Sequence, residues 1–216
     1  MILKELKLQI GHRNLVTNCY IIADEETKEA MVIDPGAEVE KIIDMLNILD
    51  VKLKYIFLTH CHADHIGAVE SLRSAKGGKI LISREDSIGL YDDSISLAYY
   101  VEVQNPQLEA DSRVDDQDLI HVGNLEFKVI ATPGHTKGGL SLYCENQKML
   151  FSGDTIFSGT WGRTDLPTGN IEEIMDSIIN KILVLPDDTI IYPGHGKSTM
   201  VREEKPIYLE LRKKDF

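Results

Sequence analysis

Apolar positions in the opening residues fall on every second place. Leu6, Leu8 and Ile10 alternate with polar neighbours, which predicts a strand with one buried side. An apolar run over 15–23 predicts a second strand, and the polar cluster 24–29 turns it into a third over 30–33, so an antiparallel meander is expected. After Asp34-Pro35-Gly36 the period changes: Val39, Ile42, Ile43, Leu46 and Leu49 recur at helical spacing. A strand over 54–59 follows, then a helix over 66–72 that Gly77-Gly78 stops, then a strand over 79–82.

From 84 to 118 the pattern weakens to a short helix over 85–90 and an acidic, irregular stretch containing Tyr91, Tyr99, Tyr100 and Pro106. Loops this long are usually functional or disordered, and a cover over the site is the expectation. Order returns with a hairpin, 119–122 and 125–131 around Gly123-Asn124. Further strands are expected at 139–144, 148–152 and 189–192. Ile171, Ile174, Met175, Ile178, Ile179, Ile182 and Leu183 share one helical face, and Asn170 with Glu173 resembles a capping box. A last helix is expected over 201–213. Both halves run meander, strand, helix. One α/β domain over 1–216 would bury all of these faces, as two mixed β-sheets packed together with helices outside.

Composition narrows the function classes. The chain has 216 residues, 43% hydrophobic and 27% charged, enough for one large core. A net charge of −12 repels phosphate backbones, so no nucleic-acid partner is expected. The N-terminal residues lack a signal-peptide core and no run reaches membrane-spanning length, so no membrane partner and a cytoplasmic location are expected. Cys19, Cys61 and Cys144, odd in number and widely spaced, read as small buried hydrophobes in a reducing compartment. Nothing in the sequence sets an oligomeric state.

The chemistry concentrates in Thr59-His60-Cys61-His62-Ala63-Asp64-His65, where a strand ends and a helix begins. His60 and His62 are two apart, so in extended backbone both rings leave one side. Asp64 and His65 fall where the chain turns into the helix, and can serve a second ion. Burying so many of the chain's seven His together is costly unless a metal satisfies them. Imidazoles with a few carboxylates suit zinc best, with iron or manganese as alternatives. Three more strand ends carry one candidate each beside glycine: Pro133-Gly134-His135, Ser152-Gly153-Asp154 and Pro193-Gly194-His195.

In this order the motifs resemble those of the metallo-β-lactamase superfamily, with motif one at Asp34, motif two at 59–65, and motifs three, four and five at His135, Asp154 and His195. The resemblance implies a four-layer αββα sandwich. It implies two Zn2+ per chain: His60, His62 and His135 around the first, Asp64, His65 and His195 around the second, and Asp154 bridging. Asp34 would support the ligands from behind, and Asp64, Asp154 and Asp34 would be the catalytic carboxylates. His12 and His121 match no motif and are expected to be structural. Those β-lactamases carry Cys or Ser at the Asp154 position, so the ligand set speaks against that activity. The nearest resemblance is to the glyoxalase II group, which implies hydrolysis of a small thioester such as a hydroxyacylglutathione by a metal-activated water. Full-length members continue into a helical domain, whereas 21 residues follow His195 here. Arg163 matches the basic residue that meets the glutathione carboxylate there, but Asp165 replaces the expected Tyr, and an Arg163–Asp165 ion pair is the alternative. The same ligands occur in persulfide dioxygenases, where His60, His135 and Asp154 would hold one iron. A non-catalytic metal-binding module is the third reading.

Overall fold

The computed structural model describes residues 1–11 and 15–212, and the side chains up to 210. His12 and the end of the expected last helix lie outside the described residues. One six-stranded sheet runs in chain order: β1 (Ile2–Ile10), β2 (Leu15–Ala23), β3 (Glu29–Ile33), β4 (Lys52–Phe57), β5 (Lys79–Ile82) and β6 (Ser112–Arg113). The second sheet is formed by β7 (Leu119–Val122), β8 (Leu125–Ala131), β9 (Leu140–Cys144) and β10 (Met149–Gly153), with β13 (Ile190–Pro193) and β14 (Thr199–Met200) beyond β10. A small hairpin, β11 (Ile156–Phe157) with β12 (Thr160–Trp161), stands apart. The helices are α1 (Val39–Ile48), α2 (Ala63–Ile66), α3 (Val69–Lys76), the single turns α4 (Asp93–Ser96) and α5 (Ala98–Val101), α6 (Ile171–Asp176) and α7 (Val201–Arg212). None of the described helices is long and apolar enough to cross a membrane.

Strand alternation explains the unbroken apolar runs. In β2 and β3, Cys19, Ile21, Ala30 and Val32 face the layer that holds Ile42 and Leu46 of α1 and Leu72 of α3. Their neighbours Tyr20, Ile22, Met31 and Ile33 face the other sheet, meeting Phe127, Val129, Leu142 and Phe151. On the far side of the second sheet, Leu150 and Ile191 pack on Ile174, Ile178 and Tyr208 from α6, its continuation and α7. Two sheets buried on both faces between helix layers are the expected αββα sandwich.

Strands β3, β4 and β5 are mutually parallel, as are β10 and β13. The loops after them therefore leave from common edges. Backbone bonds bring the two edges together: Asn18 N donates to Gly194 O at 2.7 Å and Leu140 N to Thr59 O at 2.8 Å.

Several local expectations need correcting. Strand β4 ends at Phe57: Leu58 N makes the last ladder bond, to Leu81 O, and Thr59 N donates to the Asp34 side chain instead. The helix expected over 66–72 is two, broken at Gly67-Ala68, where Ala68 N donates to Pro35 O. Any Cβ at Gly67 would lie 2.5 Å from Gly36 O, so the chain must bend past motif one. The 84–118 stretch forms a 3₁₀ turn (Asp86–Leu90), two single-turn helices and edge strand β6. The stretch meets Cys61 through Gly89 and Gly67 through Val103, and Asp86 bonds Cys61, Thr136 and Gly138. Asn170 does cap α6, accepting from Glu172 N and Glu173 N, but its own N–H donates to Gly134 O instead of to Glu173. Ile171 is 41% exposed, outside the buried face. The helix runs on as a π turn (Ser177–Ile182).

Candidate metal centre

Each motif residue reaches the site because the strand before it ends at the sandwich edge. Three imidazoles, His60, His62 and His135, gather with His62 Nδ1 2.9 Å from His135 Nε2. Asp64, His65 and His195 form a second trio, with His65 Nε2 3.3 Å from His195 Nε2 and His195 Nε2 3.2 Å from Asp64 Oδ2. Asp154 stands between them, its Oδ2 3.6 Å from His135 Nε2 and 3.4 Å from His195 Nε2, its Oδ1 3.5 Å from His65 Nε2. Two glycines permit this closeness. A Cβ at Gly153, where φ is +49°, would lie 2.3 Å from Thr59 Oγ1, and one at Gly194 would lie 2.2 Å from Asp154 Oδ1.

The outward nitrogens are pinned, which fixes what the inward ones present. His135 Nδ1 donates to Arg163 O at 2.8 Å, and His195 Nδ1 to Val16 O at 2.7 Å. His65 Nδ1 donates to Asp34 Oδ2 at 3.0 Å. Thr59 Oγ1 donates to that same oxygen at 2.6 Å and so accepts from His60 Nδ1 at 3.1 Å. With Nδ1 so held, each of these rings aims its Nε2 at the centre, the atom whose lone pair a neutral imidazole offers to a metal. His60 Nε2, His62 Nε2 and Asp154 Oδ1 are buried with no hydrogen-bond partner. Buried polar atoms without a partner are costly in a protein interior. Divalent cations would satisfy them, so the donor set fits metal.

Charges agree. Burial pushes the His60 ring well below its usual pKa; burial, with His135 beside it, holds His62 down to about 3. Burial opposes ionisation of Asp64, yet His65 and His195 hold it down to about 2, and Asp154 is held well below the carboxylate range by His195 and His65 against the same penalty. Against burial, Asp154 and Asp64 raise His195 to about 11. Both carboxylates stay ionised at neutral pH and present negative charge to a cation.

The profile of the metallo-beta-lactamase superfamily matches residues 12–195. The chain belongs to that superfamily. Hydroxyacylglutathione hydrolase GloC of Haemophilus influenzae is 37% identical over 190 residues, 87% of this chain and 89% of that protein. Among solved structures, BLEG-1 B3 metallo-beta-lactamase superposes with a TM-score of 0.86 at 32% identity, covering 95% of this chain and 97% of that one. ETHE1 from Myxococcus xanthus gives 0.78 at 32% identity over 96% and 83% of the two chains. TTHA1623 in a di-iron-bound form gives 0.80 at 30% identity over 93% and 96%. Members of the superfamily are mostly metal-dependent hydrolases.

Two other residues singled out in the sequence lie outside the trios. The Arg163 side chain is exposed and paired with Asp165, Nε to Oδ1 and an Nη to Oδ2 both at 2.9 Å, while its carbonyl orients His135. His121 pairs with Glu126 across the β7–β8 hairpin. Sequence reasoning missed the Val16 and Arg163 carbonyls, because a main-chain role leaves no residue type to read. It also missed Asp86, which no local pattern separates from the acids around it.

Proposed function

We propose that the chain is a dinuclear metal-dependent hydrolase, most naturally with zinc, that cleaves a thioester of the hydroxyacylglutathione type. The observation that carries this reading is the pair of trios sharing Asp154, with the outward nitrogens of four rings pinned. His60, His62 and His135 would hold one ion, and Asp64, His65 and His195 the other. Cations there supply the charge that brings a water's pKa to near 7 and polarises a carbonyl. The chain's own part is to keep Asp64 and Asp154 ionised, to hold the ring tautomers through Asp34, Thr59 and the two carbonyls, and to orient substrate at the rim near Arg163. The Cys61 thiol, beside the ligands, is no competing nucleophile, because burial pushes it well above its usual pKa. GloC matches over 89% of its own length, which favours a glutathione thioester.

The likeness to ETHE1 favours a second reading, a mononuclear iron persulfide dioxygenase using His60, His135 and Asp154. The likeness to BLEG-1 B3 metallo-beta-lactamase makes a β-lactam the third compound to assay, although Asp154 replaces the Cys or Ser expected of a β-lactamase. Metal analysis of protein purified without added metal, beside assays on a glutathione thioester, a persulfide and a β-lactam, separates them. Two ions per chain with thioester turnover is the expected result. One iron with oxygen consumption on the persulfide would establish the second reading, and turnover of the β-lactam alone would overturn both.

A further inference from the structure

Asp86 belongs to neither trio, yet it is 2% exposed and three donors converge on it. Its Oδ2 accepts from Cys61 N at 3.1 Å and from Thr136 Oγ1 at 2.7 Å; its Oδ1 accepts from Gly138 N at 2.8 Å. Cys61 stands between His60 and His62, and Thr136 and Gly138 follow His135. One carboxylate therefore ties together the two loops, one from each sheet, that must meet to form the first trio. The approach is close. A Cβ at Gly138 would lie 2.4 Å from Asp86 Oδ1, and one at Gly89, in the same 3₁₀ turn as Asp86, would lie 2.5 Å from the Cys61 Cβ. Asp34 plays the matching part on the other side, accepting from Thr59 and from His65 of the second trio.

We propose that Asp86 is a positioning residue that sets the spacing of His62 and His135, and through it the metal affinity of the His60–His62–His135 trio alone. The inference rests on the dinuclear reading above. Its physical basis is that buried donors are costly to leave unsatisfied, so the loops cannot drift apart without losing bonds to a group fixed in a third segment. Groups that orient ligands in this way change metal affinity by about 10- to 100-fold when lost.

The test is a Co2+ titration of the full chain followed by visible absorption, with urea unfolding of the metal-free forms alongside. His62→Ala and His195→Ala identify which binding step belongs to which trio. Wild type should bind two ions. Asp86→Asn should weaken the step that His62→Ala removes by about 10- to 100-fold and leave the step that His195→Ala removes. Thr136→Val, which keeps the carboxylate and deletes one donor, should weaken the same step by less. Equal weakening of both steps would mean a merely structural role and overturn the inference, as would no change in either. Where Asp86→Asn does not fold, Thr136→Val decides by the same criteria. A wild type that binds fewer than two Co2+ ions overturns the dinuclear reading and this inference with it. Two tight wild-type steps beside an unaltered Asp86→Asn overturn this inference only.

Discussion

Asp34 occupies left-handed backbone at φ 52°, a conformation that Asp and Asn tolerate better than most residues. Asp34→Asn therefore changes the chemistry with little backbone strain. The side-chain amide must place an NH2 toward Thr59 N or toward the Thr59 Oγ1 and His65 Nδ1 pair, where an oxygen now accepts. In the second case His65 keeps its proton on the inward nitrogen and loses a ligand lone pair. Metal affinity at the second trio should fall about 10- to 100-fold, read by chelator competition, and unchanged affinity would reduce Asp34 to a turn residue. Arg163 is a sharper test because its two halves do different things. Arg163→Ala keeps the carbonyl that holds His135, so metal content should not change. If the guanidinium meets a substrate carboxylate, KM for an acidic thioester should rise about 10-fold or more, with kcat and a neutral thioester nearly unaffected. Asp165→Ala should move the acidic KM the other way, because it frees the guanidinium. The pair itself does not titrate in the assay range, since Arg163 holds Asp165 down to about 2. Equal effects on both thioesters would remove the reason for an acidic substrate. The seven candidate ligands were legible because their side chains are the chemistry; Asp86 and the Val16 and Arg163 carbonyls were not, since tertiary contact alone gives them a role.

Helix α6 with its π-turn continuation shows how an element serves the site without carrying any ligand. Ser177 Oγ donates to Pro133 O and Lys181 Nζ to Ala131 O, while Asn170 N bonds Gly134 O. The helix thus grips the loop that presents His135. Asn170→Ala deletes the side-chain cap and leaves the backbone bond to Gly134. Losing an Asn N-cap costs about 1 kcal/mol, and in a chain of this size that lowers Tm by roughly 2–4 °C. Kinetic constants should stay near wild type; a selective loss of activity at unchanged Tm would show that the cap itself shapes the His135 loop. Strands and helices with strong periodicity were readable from sequence, β2 to the residue. Those missed were short pieces, two-residue strands and single-turn helices. The β11–β12 hairpin carries no alternation of its own and is held from outside, by Glu204 accepting from Gly159 N and by Tyr208 donating to Thr160 O. Likewise the break at Gly67 comes from backbone packed against motif one, which no local pattern records.

Across the whole molecule, each trio draws on both sheets: His60 and His62 from one with His135 from the other, and Asp64 and His65 from one with His195 from the other. An ion bound by either trio would therefore clamp the sheets together. The sandwich has its own inter-sheet core, with Phe57, Phe127 and Phe151 all fully buried, so the metal-free chain should stay folded. It should nevertheless be measurably less stable, because binding to the folded state alone adds RT ln(1 + [L]/Kd). At free zinc a thousandfold above Kd each ion adds about 4 kcal/mol, or roughly 8–16 °C in Tm at this chain length. Calorimetry of chelator-stripped protein against protein with zinc restored measures the difference. Phe151→Ala gives the control, since a core truncation costing about 3–5 kcal/mol lowers the whole curve while leaving the ligands in place. Zinc should then raise the Tm of that variant by an increment close to that of wild type. His135→Ala should lose only the part of the increment that the first trio supplies, because the second trio still joins the sheets. An increment of zero in wild type would mean that the two trios do not clamp the sheets through metal, whatever their geometry.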